Sequence, residues 1–324
     1  MAVTEGLPVL QVARIEPQDA SQRWLVRHLW GHEAVGFVAG SPKACKSWLG
    51  LDLALSVASG TPCLGRFDVE QPGPALVYLA EDALGGVRDR VANLASARGL
   101  VLECLDLHVI TAAGLRLDLQ RDRERLEATL DHLHPRVLVL DPLVRLHRLD
   151  ENSAAEISGL LGYLRELNRR HHLAILLVHH MSKKAHANVG QALRGSGDLH
   201  AWSDSSCYLL RQANGRLKLV VEHRAAPAPE PMMLELVDDA RGIRLEVTGR
   251  DARPQPLDER VRQALTTSGQ PRSRKALRSE LQVNNKRLGD ALDRLDERGQ
   301  IQRTPDGWVA SQATKPDDRQ MSLT

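Results

Sequence analysis

Gly40-Ser-Pro-Lys-Ala-Cys-Lys-Ser47 is the stretch on which the fold turns. It meets the phosphate-binding pattern G-x-x-x-x-G-K-[ST] at every defined position but one, where Cys45 stands in place of the second glycine. An apolar run, Val35-Gly-Phe-Val-Ala39, precedes it, and Trp48-Leu-Gly-Leu-Asp-Leu-Ala-Leu-Ser-Val-Ala58 follows. The pattern thus lies between a predicted strand and a predicted helix. In that setting, successive backbone N–H groups and the positive end of the helix cradle phosphates. Gly40, Ser41, Pro42, Lys43, Ala44, Cys45, Lys46, Ser47 and Trp48 are the nucleotide-contacting candidates. Lys46 is expected to reach the β- and γ-phosphates of ATP, and Ser47 to help hold Mg²⁺. A side chain at the Cys45 position carries a backbone cost of about 1–2 kcal/mol wherever glycine would be left-handed. A slowed or degenerate ATPase is therefore the alternative to a working site. A thiol at a helix N-terminus beside phosphates is also expected to ionise readily.

Three more apolar runs deliver polar groups. Val137-Leu-Val-Leu-Asp141 ends in a carboxylate placed to organise the metal. Ala75-Leu-Val-Tyr-Leu-Ala80 leads into Glu81 and Asp82. Glu81 is the candidate base for the water that attacks the γ-phosphate, with Asp82 as an orienting or capping group. Leu173-Ala-Ile-Leu-Leu-Val178 leads into His179 and His180. Neighbouring residues on a strand face opposite ways, so one of the two histidines is expected at the phosphates and a shared metal is disfavoured.

The 324 residues suggest about two domains. A hydrophobic content of 42% and a charged content of 26% are ordinary for a globular chain. No run of 18 apolar residues exists, so no membrane-spanning helix and no membrane partner are expected. The start lacks the basic-then-apolar pattern of a signal peptide. Cys45, Cys63, Cys104 and Cys207 are scattered without a C-x-x-C, which fits a reduced cytoplasmic protein. An aromatic content of 3% argues against a large base-stacking platform.

Residues 1–30 read as irregular, with a short helix at Ser21–Trp30. Strands are predicted at Val35–Ala39, Ala75–Ala80, Leu107–Ile110, Arg136–Leu140 and Leu173–Val178, separated by helices of which Ser153–Arg170 is the clearest. Cys207–Leu210, Arg216–Glu222 and Ile243–Val247 read as later strands. The alternation predicts an α/β domain with a mostly parallel sheet over 1–250. A linker is expected from the prolines at 227, 229 and 231 and from Gly249–Pro256.

Helices at Leu257–Thr267, Ser273–Leu281 and Asn284–Arg298 then precede short strands at Ile301–Thr304 and Trp308–Ala310 around a Pro305-Asp-Gly307 turn. This is a winged-helix pattern over 251–310, with 311–324 expected to be disordered. Arg272, Arg274, Lys275, Lys286 and Arg287 form its basic cluster, and Asn284, Asn285 or Arg287 are the base-edge candidates. Protein contact is the alternative use of such a module, since Asp290, Asp293, Asp296 and Glu297 weaken the basic face.

Taken together, Gly40–Ser47, Tyr78-Leu-Ala-Glu-Asp82, Leu140-Asp-Pro-Leu-Val-Arg-Leu-His147 with Asp150-Glu-Asn152, His179-His-Met-Ser-Lys183 and Leu193-Arg-Gly-Ser-Gly197 followed by Ala201-Trp-Ser-Asp204 carry a resemblance. Over residues 20–225 the chain resembles the RepA-type hexameric plasmid replicative helicases and the wider RecA-like AAA ATPases. That resemblance implies a RecA-like fold, a homo-oligomer (a hexamer) with ATP between subunits, and an arginine reaching across, for which Arg194 and Arg224 are the candidates. It implies DNA, single- or double-stranded, as a partner, together with replication or mobile-element proteins. Cys45 and the C-terminal module depart from the family pattern and suggest a DNA-anchored motor. An ATP-switched DNA-binding regulator without unwinding, or a scaffold with a degenerate site, remain the other readings.

Overall fold

The computed structural model describes residues 7, 9–16, 23–149, 154–181, 197–212, 215–250, 257–268, 270–281, 283 and 285–311. The chain divides into two compact units, Met1–Asp251 and Ala252–Thr324.

The first unit opens with two short antiparallel strands, β1 (Trp24–Val26) and β2 (Trp30–Gly31). They replace the helix expected at Ser21–Trp30. Trp24, Leu25, Val26, Leu29 and Trp30 are all buried, a continuous apolar set that suits strands covered on both sides better than a one-sided helix. Nine strands then build one sheet: β3 (Val35–Gly40), β4 (Ala75–Leu79), β5 (Leu107–Val109), β6 (Val137–Asp141), β7 (Ala174–His180), β8 (Ser205–Arg211), β9 (Leu217–His223), β10 (Met232–Asp239) and β11 (Gly242–Arg250). Their spatial order is β11-β10-β9-β8-β3-β7-β6-β4-β5. Pairing is parallel from β5 to β8 and antiparallel from β8 to β11. Strand β10 was not foreseen. The prolines before it suggest a linker, yet the chain returns to the sheet at Met232, which pairs with Leu219.

Both faces of the parallel strands are covered, which is why they read as unbroken apolar runs. Val38, Val77, Val139 and Val178 face one side with α1 (Lys46–Ser59) and α2 (Leu84–Ser96). Phe37, Tyr78, Leu140 and Leu177 face the other, with α3 (Gln120–Leu133), α4 (Ala154–His171) and α5 (Gly197–Trp202). Among the described residues, no helix is long and apolar enough to cross a membrane.

The second unit holds α6 (Leu257–Ser268), α7 (Arg274–Leu281), α8 (Asn285–Glu297) and the hairpin β12 (Ile301–Thr304) with β13 (Gly307–Ala310). Val261, Leu265, Leu277, Leu281, Leu288, Leu292, Leu295 and Ile301 form its core. Ser273 caps α7 by accepting from the Ala276 N–H at 3.2 Å. Arg272 exchanges two backbone hydrogen bonds with Trp308, at 2.8 and 2.9 Å, which adds a one-residue third strand to the hairpin. Gly307 (φ 140°) is required there, because a Cβ would come within 2.5 Å of the Arg272 carbonyl oxygen.

Gly36 is the tightest backbone position in the sheet. A Cβ built on it would sit 1.7 Å from the Ser205 carbonyl oxygen. Gly159, on the exposed face of α4, has open space around it. Gly36→Ala is therefore expected to yield aggregated or strongly destabilised protein, while Gly159→Ala leaves the melting temperature unchanged or raises it, since alanine gains up to about 1 kcal/mol over glycine in a helix. Expression and thermal melts of the two variants check the pair.

Candidate functional site

Strand β3 ends at Gly40 and the loop 41–45 leads directly into α1, so the quoted motif lies at the C-terminal edge of a central parallel strand. Gly40 is pressed against β8: a Cβ there would lie 2.6 Å from the Leu209 carbonyl oxygen. Within the loop, the Ala44 N–H donates to the Ser41 carbonyl at 3.3 Å and Lys46 Nζ donates to the same oxygen at 2.9 Å. Lys43 (φ 62°) and Cys45 (φ 58°) are both left-handed. Cys45 is the residue immediately before α1, so it occupies the glycine conformation without being glycine, at the cost anticipated for it. Its thiol does not behave as expected: burial pushes its pKa up, against the pull of Arg211 and Lys46. Desolvation outweighs the helix terminus, and the thiol form is favoured.

Strand periodicity brings the other groups to the same side. Asp141 continues the Val137–Val139 face of β6, and His180 continues the Leu176–Val178 face of β7, both on the α1 side of the sheet. One cavity of about 360 Å³ is lined by Lys43–Trp48, Glu81, Arg90, Asp141, Pro142, Val178 and His180. His179 turns to the opposite face, is buried, and packs its ring 5.9 Å from Phe37. Of the two histidines, His180 is at the loop and His179 is not. Among the described residues no group of three His, Cys, Asp or Glu side chains is placed to hold a metal.

Asp141 is 7% exposed and accepts a hydrogen bond from Ser47. Burial raises its pKa to about 6, helped by Asp82 and opposed by Ser47, Lys46 and Arg90. Burial likewise lowers the pKa of Lys46, opposed by Asp141, Cys45 and Glu81. A carboxylate that ionises reluctantly beside a serine hydroxyl suits a hard divalent cation, which would supply the missing positive charge.

Two arginines complete the rim that sequence reasoning missed. Arg145 Nε donates to Glu81 at 2.6 Å from a turn, Leu143–Arg145, whose Leu143 is buried beneath it. Arg90 forks onto Asp82 and lies 6.0 Å from the Trp48 ring centroid. Asp82 thus orients Arg90 and makes no cap, since α2 has no side-chain cap at its start. Arg145 stood inside a quoted motif, whereas nothing in the sequence separates Arg90 from Arg88.

Arg224 is at the other end of the sheet, paired with Asp204 at 3.3 Å, where the Asp204 backbone N–H donates to the Val35 carbonyl. The length of β3, roughly 16 Å at 3.3 Å per residue, separates it from its own loop. Arg194 and Asn284 lie outside the described residues. In the second unit Arg272 pairs with Glu280, and Arg274 donates to the Asn285 carbonyl at 2.8 Å, so two of the basic cluster are spent on internal contacts. Lys275 and Asn285 are exposed, and Lys286 and Arg287 fall on the first turn of α8.

A nucleotide-type loop on a mostly parallel sheet extended by antiparallel strands is the RecA-like arrangement. The chain belongs to the AAA domain family, whose model matches residues 3–186, more than half of its length. Its fold is similar to the RadB recombinase (19% identity, 67% of this chain and 93% of that one, TM-score 0.50). It is also similar to the ATPase domain of G40P (14%, 66% and 84%, TM-score 0.50). A DnaB-like replicative helicase, solved for its interactions with primase, matches as well (14%, 66% and 59%, TM-score 0.51).

Asp141 yields a stability test. Because its folded pKa is raised, the folded protein retains a proton that the unfolded chain releases between about pH 4 and 6. Stability from this group is present below the ordinary carboxylate range and lost as pH rises to about 6, a penalty on the order of 2–3 kcal/mol at neutral pH. Asp141→Asn, without ligand, is expected to melt several degrees above wild type at pH 7.5, with the gap closing near pH 4.5. Thermal melts across that range check it.

Proposed function

We propose that this chain is an ATP-hydrolysing, ring-forming RecA-like ATPase that works on DNA as a helicase-like motor in replication or maintenance of a plasmid, phage or other mobile element. The observation that carries the reading is the meeting of Lys46, Ser47, Glu81, Asp141 and His180 at one cavity beside the loop. The AAA domain family and the recombinase and helicase neighbours support it.

In this reading the loop N–H groups and Lys46 bind the triphosphate of ATP, and Lys46 leaves the Ser41 carbonyl to do so. Ser47 and Asp141 hold Mg²⁺, which neutralises phosphate charge when bound. Glu81 takes the proton of the attacking water through the oxygen that Arg145 Nε does not hold, and His180 reports on the γ-phosphate from β7. A neighbouring copy supplies the finger, Arg194 or Arg224, as the hexamer of the family resemblance implies. The work is cytoplasmic.

A second reading, an ATP-switched DNA-binding regulator, is favoured by Arg145 on Glu81 and by the C-terminal module. We take that module as a winged helix, supported by the Arg272–Trp308 pairing beside its hairpin, with Lys275, Asn284, Asn285, Lys286 and Arg287 as its DNA contacts and Arg272 and Arg274 bracing it.

Lys46→Ala is expected to abolish hydrolysis and weaken ATP binding, whereas Glu81→Gln keeps binding and loses turnover by about two to four orders of magnitude. Steady-state ATPase and nucleotide titration separate the two, and wild-type turnover in Lys46→Ala overturns the assignment. Stimulation by single strands with unwinding selects the motor, and ATP-dependent duplex binding without unwinding selects the regulator. Duplex affinity of the full chain is expected to fall steeply with salt, because phosphate contacts release counterions. A chain ending at residue 250 should lose most of that salt-dependent component, and an unchanged slope assigns the module to protein contact.

A further inference from the structure

The loop carries two left-handed residues with side chains, Lys43 and Cys45, and neither is glycine. Such a conformation persists only where its surroundings enforce it. One side chain does so from outside the motif. Arg211, the last residue of β8, donates through one guanidinium nitrogen to the Lys43 carbonyl oxygen and through another to the Gly215 carbonyl at 3.2 Å. Its charge also acts on the Cys45 thiol more strongly than that of Lys46 does. The anchor itself is held firmly. Arg211 pairs with Leu217 across the β8–β9 hairpin, and two residues earlier the Leu209 carbonyl packs against Gly40. Parity places Arg211 on the face shared by Cys207, Leu209 and α1.

We propose that Arg211 is a positioning residue for the phosphate-binding loop. By tying the Lys43 carbonyl to the end of β8 it holds the left-handed turn that a glycine at position 45 would adopt freely, so the N–H groups of the loop stay aimed at the phosphates. The inference rests on the nucleotide-binding reading for its consequence, but the restraint on the loop exists without ligand. Arg211 need not touch the nucleotide.

The test uses the full chain as wild type, Arg211→Ala, Arg211→Lys, Cys45→Gly and the double variant Arg211→Ala, Cys45→Gly. Without ligand, hydrogen exchange of residues 41–47 is expected to be several-fold faster in Arg211→Ala, while exchange in α4 is unchanged. With ATP, KM is expected to rise about tenfold, the scale of one charge-assisted hydrogen bond, with kcat within about twofold. Arg211→Lys restores most of the loss. Cys45→Gly relieves one of the two left-handed side chains and leaves Lys43, so the loss caused by Arg211→Ala is expected to shrink to about threefold in that background. Unchanged loop exchange in Arg211→Ala overturns the proposal whether or not the chain binds nucleotide. A full tenfold loss in the Cys45→Gly background, with loop exchange no faster than in Cys45→Gly alone, also overturns it, since Arg211 then acts on the nucleotide and not through the loop. Absence of nucleotide binding by wild type overturns the functional reading alone, because the exchange comparison still decides whether Arg211 restrains the loop.

Discussion

The candidate site depends on the two-residue period of the parallel strands. Val137, Val139 and Asp141 point to one face of β6; Leu176, Val178 and His180 point to the same face of β7; Cys207, Leu209 and Arg211 do so on β8. That face is the one on which α1 lies, so each strand delivers its terminal polar group toward the loop. A slip of one residue would present Leu140 and His179 instead. Burial of both faces forbids such a slip, because every apolar side chain of the strand would exchange sides at once.

The two glycines of the motif do different physical work, which explains why the chain keeps one and lacks the other. At Gly40 the constraint is contact: the Leu209 carbonyl leaves no room for a Cβ, and both groups are backbone in adjacent paired strands. Neither can move without breaking the ladder. At position 45 the constraint is conformation. A left-handed residue costs a finite amount, about 1–2 kcal/mol, which neighbouring contacts can offset. Cys45 is tolerated on those terms, and its half-buried thiol, held in the protonated form, adds no charge beside the loop.

What could be read from sequence follows the same division. The strands β3, β4, β6 and β7 were legible because burial on both faces leaves continuous apolar runs bounded by polar ends. Lys46, Ser47, Glu81, Asp141 and the His179–His180 pair were legible as candidates because each sits at a fixed offset from such a run, while the choice of His180 over His179 needed the fold. The strands β1, β2 and β10 were not, for Trp24–Trp30 has no clean period and Met232–Asp239 alternates weakly after a proline-rich stretch. Arg90, Arg145 and Arg211 reach the site from loops, a helix face and a strand end, where an arginine is ordinarily solvated. Only the fold reveals which of them meets a carboxylate or a carbonyl. The ionisation of Cys45 departs from the sequence expectation for a related reason, since the helix terminus is visible in sequence and the desolvation opposing it is not.

Without ligand the charged groups satisfy one another: Lys46 rests on the Ser41 carbonyl, Glu81 on Arg145, Asp82 on Arg90 and Asp141 on Ser47. A polyphosphate entering this arrangement competes with those contacts and does not fill a vacant cationic bowl. Three carboxylates, Glu81, Asp82 and Asp141, already face Lys46, Arg90 and Arg145, which leaves Lys43 and Arg211 as the further cations at the loop. Added phosphate charge therefore meets only the modest surplus of Lys43 and Arg211, and Asp141, whose ionisation burial already opposes, would be driven further toward its neutral form. In the proposed reading a divalent cation reverses both effects, because it favours the Asp141 carboxylate and screens the phosphates from Glu81. Nucleotide and cation are then expected to bind as one unit, with the affinity for either alone much weaker than for the pair.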